Sequence, residues 1–167
     1  GRSSYLGVPE CNDYSIGIEL EGSDDLPFES VQYQVLAQIV SALQRAYPQI
    51  QQHIAGHSDI APQRKDDPGP LFPWRQLAGQ GIGAWPDASR VAFYLNGRPS
   101  YQPVDSAELL DTLSRYGYQV TPEMTSAQQK RVIMAFQMHF RPARWDGVAD
   151  AETQAIAEAL LEKYGQG

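Results

Sequence analysis

The chain has 167 residues, of which 42% are hydrophobic, and it carries a net charge of −7. Such a chain is long enough to bury one sizeable core or two small ones. The negative charge argues against nucleic acid as a partner, because phosphate binding needs a basic surface. No apolar run reaches the eighteen or so residues of a spanning helix, so we expect a folded protein without a membrane-spanning segment.

The first predicted element is a strand within residues 12–22, where isoleucine and leucine side chains alternate with polar or small ones. A period of two is typical of a strand. Glu19 would project from it, and a carboxylate held on a rigid strand is suited to act as a general base; alternatively it is simply the polar side of a half-exposed strand. Asn12, which precedes the strand, is either a substrate contact at a cleft edge or a turn residue.

A helix is predicted next, over residues 29–46, because apolar residues recur there at helical spacing. The apolar stripe consists of Leu36, Ile39, Val40 and Leu43. We expect this stripe to pack in the core. A short helical turn is predicted over residues 71–77, and its aromatic side chains are expected to be core residues as well, with the wall of a cleft as the alternative.

The segment between these helices, residues 57–70, combines a histidine, a lysine and neighbouring carboxylates with three prolines and a glycine. Prolines and glycine disfavour regular structure, so a loop is predicted. The imidazole of His57 and the carboxylate of Asp67 are donors that zinc accepts, with Asp66 an alternative to Asp67 by adjacency. The ammonium of Lys65 would suit a developing oxyanion. The competing interpretation is a turn-rich surface loop with a salt bridge.

Three other reactive or charged residues lie in or before this loop. Asp59 and Arg64 are predicted to hold the loop together rather than to bind an ion. Cys11 is the single cysteine, so it forms no internal disulfide and is expected to be a packing residue. A cysteine hydrolase that uses Cys11 and His57 is the alternative, and it would be sensitive to thiol reagents and indifferent to chelators.

The second half of the chain changes character. Residues 79–103 are rich in glycine and proline and are interpreted as a structured linker. Beyond them the apolar spacing is helical only, and it predicts three helices, at 106–116, 126–140 and 150–164. Three short helices with apolar stripes form a small bundle.

The Ser-Ile-Gly-Ile-Glu-Leu segment, followed by Gly-His-Ser-Asp-Ile-Ala-Pro-Gln-Arg-Lys-Asp-Asp-Pro-Gly-Pro, resembles the zinc N-acetylmuramoyl-L-alanine amidases of the amidase-2 family, relatives of the peptidoglycan recognition proteins. The resemblance implies that His57 and Asp67 are zinc ligands, and it is what selects Asp67 over Asp66. It also implies that Glu19 and Lys65 are the catalytic pair. The implied reaction is hydrolysis of the amide between the lactyl group of N-acetylmuramic acid and L-alanine.

The family also takes a third zinc ligand, a histidine upstream of the Ile-Gly-Ile-Glu segment, and the chain begins after that position. Of the internal histidines, His53 would lie roughly 13 Å from His57 on an extended chain, and His139 falls among the predicted C-terminal helices. We therefore expect the third ligand to be missing. Because no initiator methionine or apolar signal segment precedes Gly1, we expect a fragment of a longer enzyme.

The Gly-Tyr, Phe-Gln and Asp-Gly…Thr series of the C-terminal helices resembles the three-helix peptidoglycan-binding domain that accompanies cell-wall hydrolases. His139 and Trp145 are either glycan contacts or buried residues. The predicted architecture is an N-terminally incomplete α/β amidase domain, with a mixed sheet and flanking helices, over residues 1–78, a linker over 79–103, and a three-helix peptidoglycan-binding domain over 104–167.

By these resemblances the partner is peptidoglycan or a soluble muropeptide, and the location is the periplasm or the periplasmic face of the outer membrane. The cytoplasm is the alternative, because the Cys-Asn-Asp stretch is similar to that of cytoplasmic recycling amidases. The alternative function is a non-catalytic peptidoglycan-binding protein with an incomplete zinc site. The joint presence of candidate zinc ligands and a candidate catalytic pair favours the enzyme.

Overall fold

A computed structural model describes residues 2–23, 26–50 and 53–165 of the chain. Within these ranges helices dominate, and the sheet is a single antiparallel pair in which Ser4 faces Pro9 and Tyr5 faces Val8. The strands are β1 (Ser4–Tyr5) and β2 (Val8–Pro9), and the helices are α1 (Ser30–Ala46), α2 (His57–Ile60), α3 (Trp74–Ala78), α4 (Ala88–Leu95), α5 (Ser106–Tyr116), α6 (Ser126–Phe140) and α7 (Ala151–Tyr164).

The strand predicted around Glu19 does not form. A 3-10 turn occupies Cys11–Tyr14, and residues 15–21 follow without regular structure. Ile16 and Ile18 are 56% and 40% exposed, so the alternation buries neither side chain. A strand requires a neighbour that pairs with its backbone, and no described segment does so here. The fold combines helices with β structure as predicted, but the predicted mixed sheet is reduced to β1 and β2 in the described residues.

Helix α1 confirms the prediction for residues 29–46, although its buried stripe is narrower than expected. Leu36 and Val40 are buried, whereas Ile39 is 43% exposed. The buried face joins a first apolar cluster, whose other buried members are Phe72, Trp74, Leu77 and Ile82. The aromatic residues around α3 are therefore core residues, as predicted.

The segment predicted as a loop begins instead with one turn of helix, α2. This turn forms despite the nearby prolines because the carboxylate of Asp59 accepts a hydrogen bond from the backbone N–H of Gly56 at 2.8 Å. A side chain that bonds to an N-terminal backbone donor in this way stabilises the start of a helix. Turns follow α2, and the Asp67–Pro68 peptide is cis.

The segment interpreted as a linker contains α4, which packs against α7. The guanidinium of Arg90 donates two hydrogen bonds of 2.7 Å to Glu162, and Lys163 donates one of 2.7 Å to Asp87. Trp85 contacts both apolar clusters of the molecule. The segment thus packs on the C-terminal helices, while its assignment as a domain boundary stays a prediction.

The three C-terminal helices match their predicted bounds to within one residue. Each begins at a residue whose side chain accepts a backbone hydrogen bond from the first turn, as expected of good N-caps. These residues are Asp105, Thr125 and Asp150. The helices share a second apolar cluster built around Leu109, Val132, Phe136 and Leu160.

Among the helices of the described ranges, none combines the length and apolar character needed to cross a bilayer.

Candidate active site

The two candidate zinc ligands meet at the surface. The Nδ1 atom of His57 lies 2.5 Å from Oδ2 of Asp67, and the two side chains are 41% and 39% exposed. The backbone holds them in register, because the N–H of Ser58 donates to the carbonyl of Asp67 at 2.9 Å. The loop of residues 57–67 therefore folds back on itself and brings together two side chains that are ten residues apart in sequence.

This pair agrees in chemical type with a zinc site, since zinc accepts an imidazole nitrogen and a carboxylate oxygen with a further position left for water. The pair supplies two donors. Within residues 2–23, 26–50 and 53–165, no group of three or more His, Cys, Asp or Glu side chains is placed to hold a metal ion. The structure thus brings together the two predicted ligands and adds no third from the described residues.

The structure separates the two neighbouring aspartates of the loop. Asp66 pairs with Arg131 at 2.6 Å, whereas Asp67 faces His57. Geometry therefore favours Asp67 as the donor that accompanies His57. Lys65 is exposed, and its backbone N–H donates to the carbonyl of Ala61 at 3.1 Å.

The other two predicted site residues lie in the N-terminal segment. Glu19 is exposed in the irregular stretch that was predicted as a strand, and Asn12 is exposed in the 3-10 turn. Among the described residues, Glu19 does not form a metal-binding cluster with the two ligand candidates. The roles assigned to Glu19 and Asn12 stay predictions.

Cys11 is buried, and its Sγ lies 3.6 Å from the carbonyl oxygen of Val8. This environment agrees with the packing role expected from the sequence.

A buried polar cluster beneath α2 was not predicted as a unit. One oxygen of Asp59, Oδ1, accepts a hydrogen bond of 2.5 Å from the hydroxyl of Tyr118, and Oδ2 lies 2.8 Å from Nδ1 of His139. The His139 ring is stacked on Trp74, with 3.9 Å between ring centroids. Asp59 thus holds the loop as predicted, and His139 takes the buried alternative; Trp145 is 42% exposed.

The cluster sets the protonation of its tyrosine. Burial is the main cause that raises the pKa of Tyr118 well above its ordinary value, and the charge of Asp59 raises it further. The hydroxyl therefore keeps its proton and donates a hydrogen bond to the carboxylate. This cluster was not predictable from the sequence, because Asp59 is 59 residues from Tyr118 and 80 from His139, and no local sequence pattern spans such separations.

Comparison with known proteins places these residues in a family. Residues 1–70 match the Amidase_2 family, described as N-acetylmuramoyl-L-alanine amidase. The chain is 58% identical to the N-acetylmuramoyl-L-alanine amidase AmiD of Escherichia coli over 99% of its own length and 63% of that protein's. It is 55% identical to the 1,6-anhydro-N-acetylmuramyl-L-alanine amidase AmpD of Escherichia coli over 46% of this chain and 42% of that protein.

A solved structure extends the likeness to the fold. The complex of AmiD from Escherichia coli with anhydro-N-acetylmuramic acid-L-Ala-D-γ-Glu-L-Lys superposes with a TM-score of 0.95 at 58% identity, and the match covers 100% of this chain and 68% of that one. The chain thus spans about two thirds of the length of AmiD. From the matched profile, the sequence identity and the shared fold together, the chain belongs to the Amidase_2 family of N-acetylmuramoyl-L-alanine amidases.

Proposed function

We propose that this chain is part of a zinc-dependent hydrolase that cleaves the amide between the lactyl group of N-acetylmuramic acid and L-alanine. The observation that carries the proposal is the convergence of His57 and Asp67 at 2.5 Å in a chain 58% identical to an amidase. These two side chains would hold zinc, and the further ligands would come from other parts of the enzyme. Bound zinc supplies a Lewis acid that polarises a carbonyl and lowers the pKa of a bound water.

The remaining chemistry falls to two side chains of this chain. Glu19 would accept a proton from the attacking water and pass it to the leaving amine of L-alanine. Lys65, two residues before Asp67 and exposed, would stabilise the oxyanion of the tetrahedral intermediate through its ammonium group. Asn12 would contact the substrate.

We propose an anhydro-muropeptide as the substrate class, because AmiD is seen with anhydro-N-acetylmuramic acid-L-Ala-D-γ-Glu-L-Lys. We further propose that α5–α7 form a peptidoglycan-binding unit, which is supported by their shared apolar cluster and by the sequence series that resembles such domains. A wall-binding unit would suit the periplasm or the inner face of the outer membrane.

Two substitutions test the assignment of the catalytic pair. In the full-length enzyme, Glu19→Gln and Lys65→Met should each lower the rate of stem-peptide release from that anhydro-muropeptide by about 100-fold or more, as measured by chromatography. Glu21→Gln, which changes another exposed glutamate of the same segment, is the matched control and should keep the wild-type rate. Near-normal release by Glu19→Gln or Lys65→Met would remove that residue from the mechanism.

A second candidate function is binding of peptidoglycan without hydrolysis, and the presence of two rather than three donors among the described residues favours it. Retention of the muropeptide by the full-length enzyme, with no release of peptide even when zinc is added, would support this candidate against the hydrolase.

A further inference from the structure

The loop of residues 57–67, called the ligand loop below, is held at its C-terminal end by a side chain of α6. Arg131 donates from Nε to the carbonyl of Pro62 at 2.9 Å and from Nη2 to Oδ1 of Asp66 at 2.6 Å. Asp66 directly precedes the ligand candidate Asp67. One guanidinium thus holds both the turn of the loop and the residue beside a ligand.

The N-terminal end of the ligand loop is held through the buried carboxylate of Asp59. This carboxylate accepts from the backbone N–H of Gly56 at 2.8 Å, directly before the ligand candidate His57. Its other partners come from the C-terminal half of the chain: the hydroxyl of Tyr118, two residues after the end of α5, and Nδ1 of His139 in α6. The side chains of Asp59 and His139 are 2% and 4% exposed, so water does not compete for these bonds.

The two sets of contacts have a common consequence. Helix α6 fixes both ends of a loop whose two ligand candidates must stay within one ion's reach, and Gln63 adds a further bond of 2.9 Å from the middle of the loop to the carbonyl of Gln128. Groups that hydrogen-bond around metal ligands set ligand orientation, and their loss weakens metal binding. Helix α6 therefore supplies side chains that hydrogen-bond to the loop close to both ligand candidates.

We propose that Arg131, His139 and Tyr118 are positioning residues for the metal site, so that the C-terminal helices are part of the hydrolytic centre as well as a binding unit. This inference rests on the proposed zinc-dependent function. It predicts that the ligand loop loses its order when contacts from α6 are removed, although none of these three residues is itself a candidate ligand.

The first test removes the contacts of Arg131. Arg131→Met keeps the aliphatic part of the side chain and deletes both hydrogen bonds. We expect the zinc Kd, measured by competition with a chromophoric chelator, to rise about tenfold, and backbone amides of the ligand loop to exchange hydrogen faster in the zinc-free protein. Arg115→Met is the control, since Arg115 is 62% exposed and pairs only weakly, at 3.8 Å, with Asp111; both readouts should match wild type.

The second test separates hydrogen bonding from packing at His139. His139→Asn keeps a donor near the position of Nδ1 but loses the ring that stacks on Trp74 and Phe140. His139→Phe keeps an aromatic ring and loses the donor. The positioning role predicts tighter zinc binding in His139→Asn than in His139→Phe, at a temperature where circular dichroism shows both to be folded. A role in packing alone predicts the reverse order and would overturn the assignment of His139.

The exchange measurement distinguishes a failure of this inference from a failure of the proposed function. If the full-length enzyme binds no zinc, the proposed function fails, but faster exchange in the ligand loop of Arg131→Met still shows that Arg131 positions the loop. Unchanged exchange in Arg131→Met would overturn it, whatever the zinc measurement gives.

Discussion

Gly56 is the residue that lets the two ligand candidates meet. A Cβ atom at this position would lie 2.4 Å from Cδ of Pro68 and 3.4 Å from the carbonyl oxygen of Asp67. A proline ring has little freedom to move aside. The absence of a side chain at residue 56 therefore allows the turn that carries His57 to pack directly on the turn that carries Asp67.

Gly56→Ala should lower the free energy of unfolding by about 1–3 kcal/mol, the usual cost of forcing a methyl group into a packed site, and should also weaken zinc binding. Urea unfolding measures the first effect and a chelator competition the second. Gly17→Ala is the control, because nothing lies within 4 Å of a Cβ at residue 17. Equal stability of the two variants would mean that the turns separate without cost.

Tyr118 gives the stability of the protein a dependence on alkaline pH. Its pKa is raised in the folded state, and an unfolded tyrosine titrates near pH 10. The folded chain therefore keeps a proton that the unfolded chain releases, so this contribution to stability is complete below about pH 10 and is lost as the pH rises towards the folded pKa.

Between pH 8 and 11, the free energy of unfolding should therefore fall less steeply in Tyr118→Phe than in the wild type. Equilibrium denaturation at several pH values measures the difference. Tyr14→Phe, which alters a tyrosine that is 79% exposed, should keep the wild-type slope. Parallel slopes for wild type and Tyr118→Phe would show that this hydroxyl does not carry the effect.

Residues that act within one short segment were predictable from sequence, and residues that act across the fold were not. His57 and Asp67 lie in a single loop, so donor type made both of them candidates, and the family resemblance selected Asp67 over Asp66. The pairing of Asp59 with His139 depends on how α6 packs on α2, which no spacing in the sequence encodes.

Secondary-structure elements show the same division. Helices α5, α6 and α7 were predictable because their apolar spacing and their N-caps are local signals. The strand expected around Glu19 did not form, because a strand depends on a pairing partner, which an alternating sequence pattern alone cannot supply. The one-turn helix α2 was not predicted because the nearby prolines favoured a loop. Its start depends on the carboxylate of Asp59.

The N-cap residue of helix α7 is also one partner of a buried ion pair. Asp150 accepts from the backbone N–H of Thr153 at 2.9 Å and from two nitrogens of Arg141 at 3.0 and 2.9 Å. The side chains of Arg141 and Asp150 are 4% and 1% exposed. Removal of the carboxylate would leave a guanidinium buried without its main partner.

Asp150→Ala should therefore lower the free energy of unfolding by about 3–5 kcal/mol, the usual cost of breaking a buried ion pair on one side. The comparison is Asp105→Ala, which removes the exposed cap of α5 and should cost about 1 kcal/mol. Urea denaturation of both variants measures the contrast. A loss in Asp150→Ala no larger than that in Asp105→Ala would show that the ion pair adds nothing beyond the cap.

The two apolar clusters of the protein are connected rather than separate. Trp85 packs against both, and the stack of Trp74 on His139 links a core residue of the first cluster to α6. The division into residues 1–78, 79–103 and 104–167 stays a prediction. The contacts between the ligand loop and α6 indicate that the matched amidase segment and the C-terminal helices fold against each other.

Hydrolysis is proposed to depend on zinc held by His57 and Asp67. This proposal is tested by the zinc content of the dialysed protein, measured by elemental analysis together with stem-peptide release from an anhydro-muropeptide. We expect both zinc and release in the full-length enzyme, which includes the upstream ligand, and in its His53→Ala variant, and loss of both in its His57→Ala and Asp67→Asn variants. Release that persists after chelation, or zinc retained in His57→Ala and Asp67→Asn, would contradict the claim.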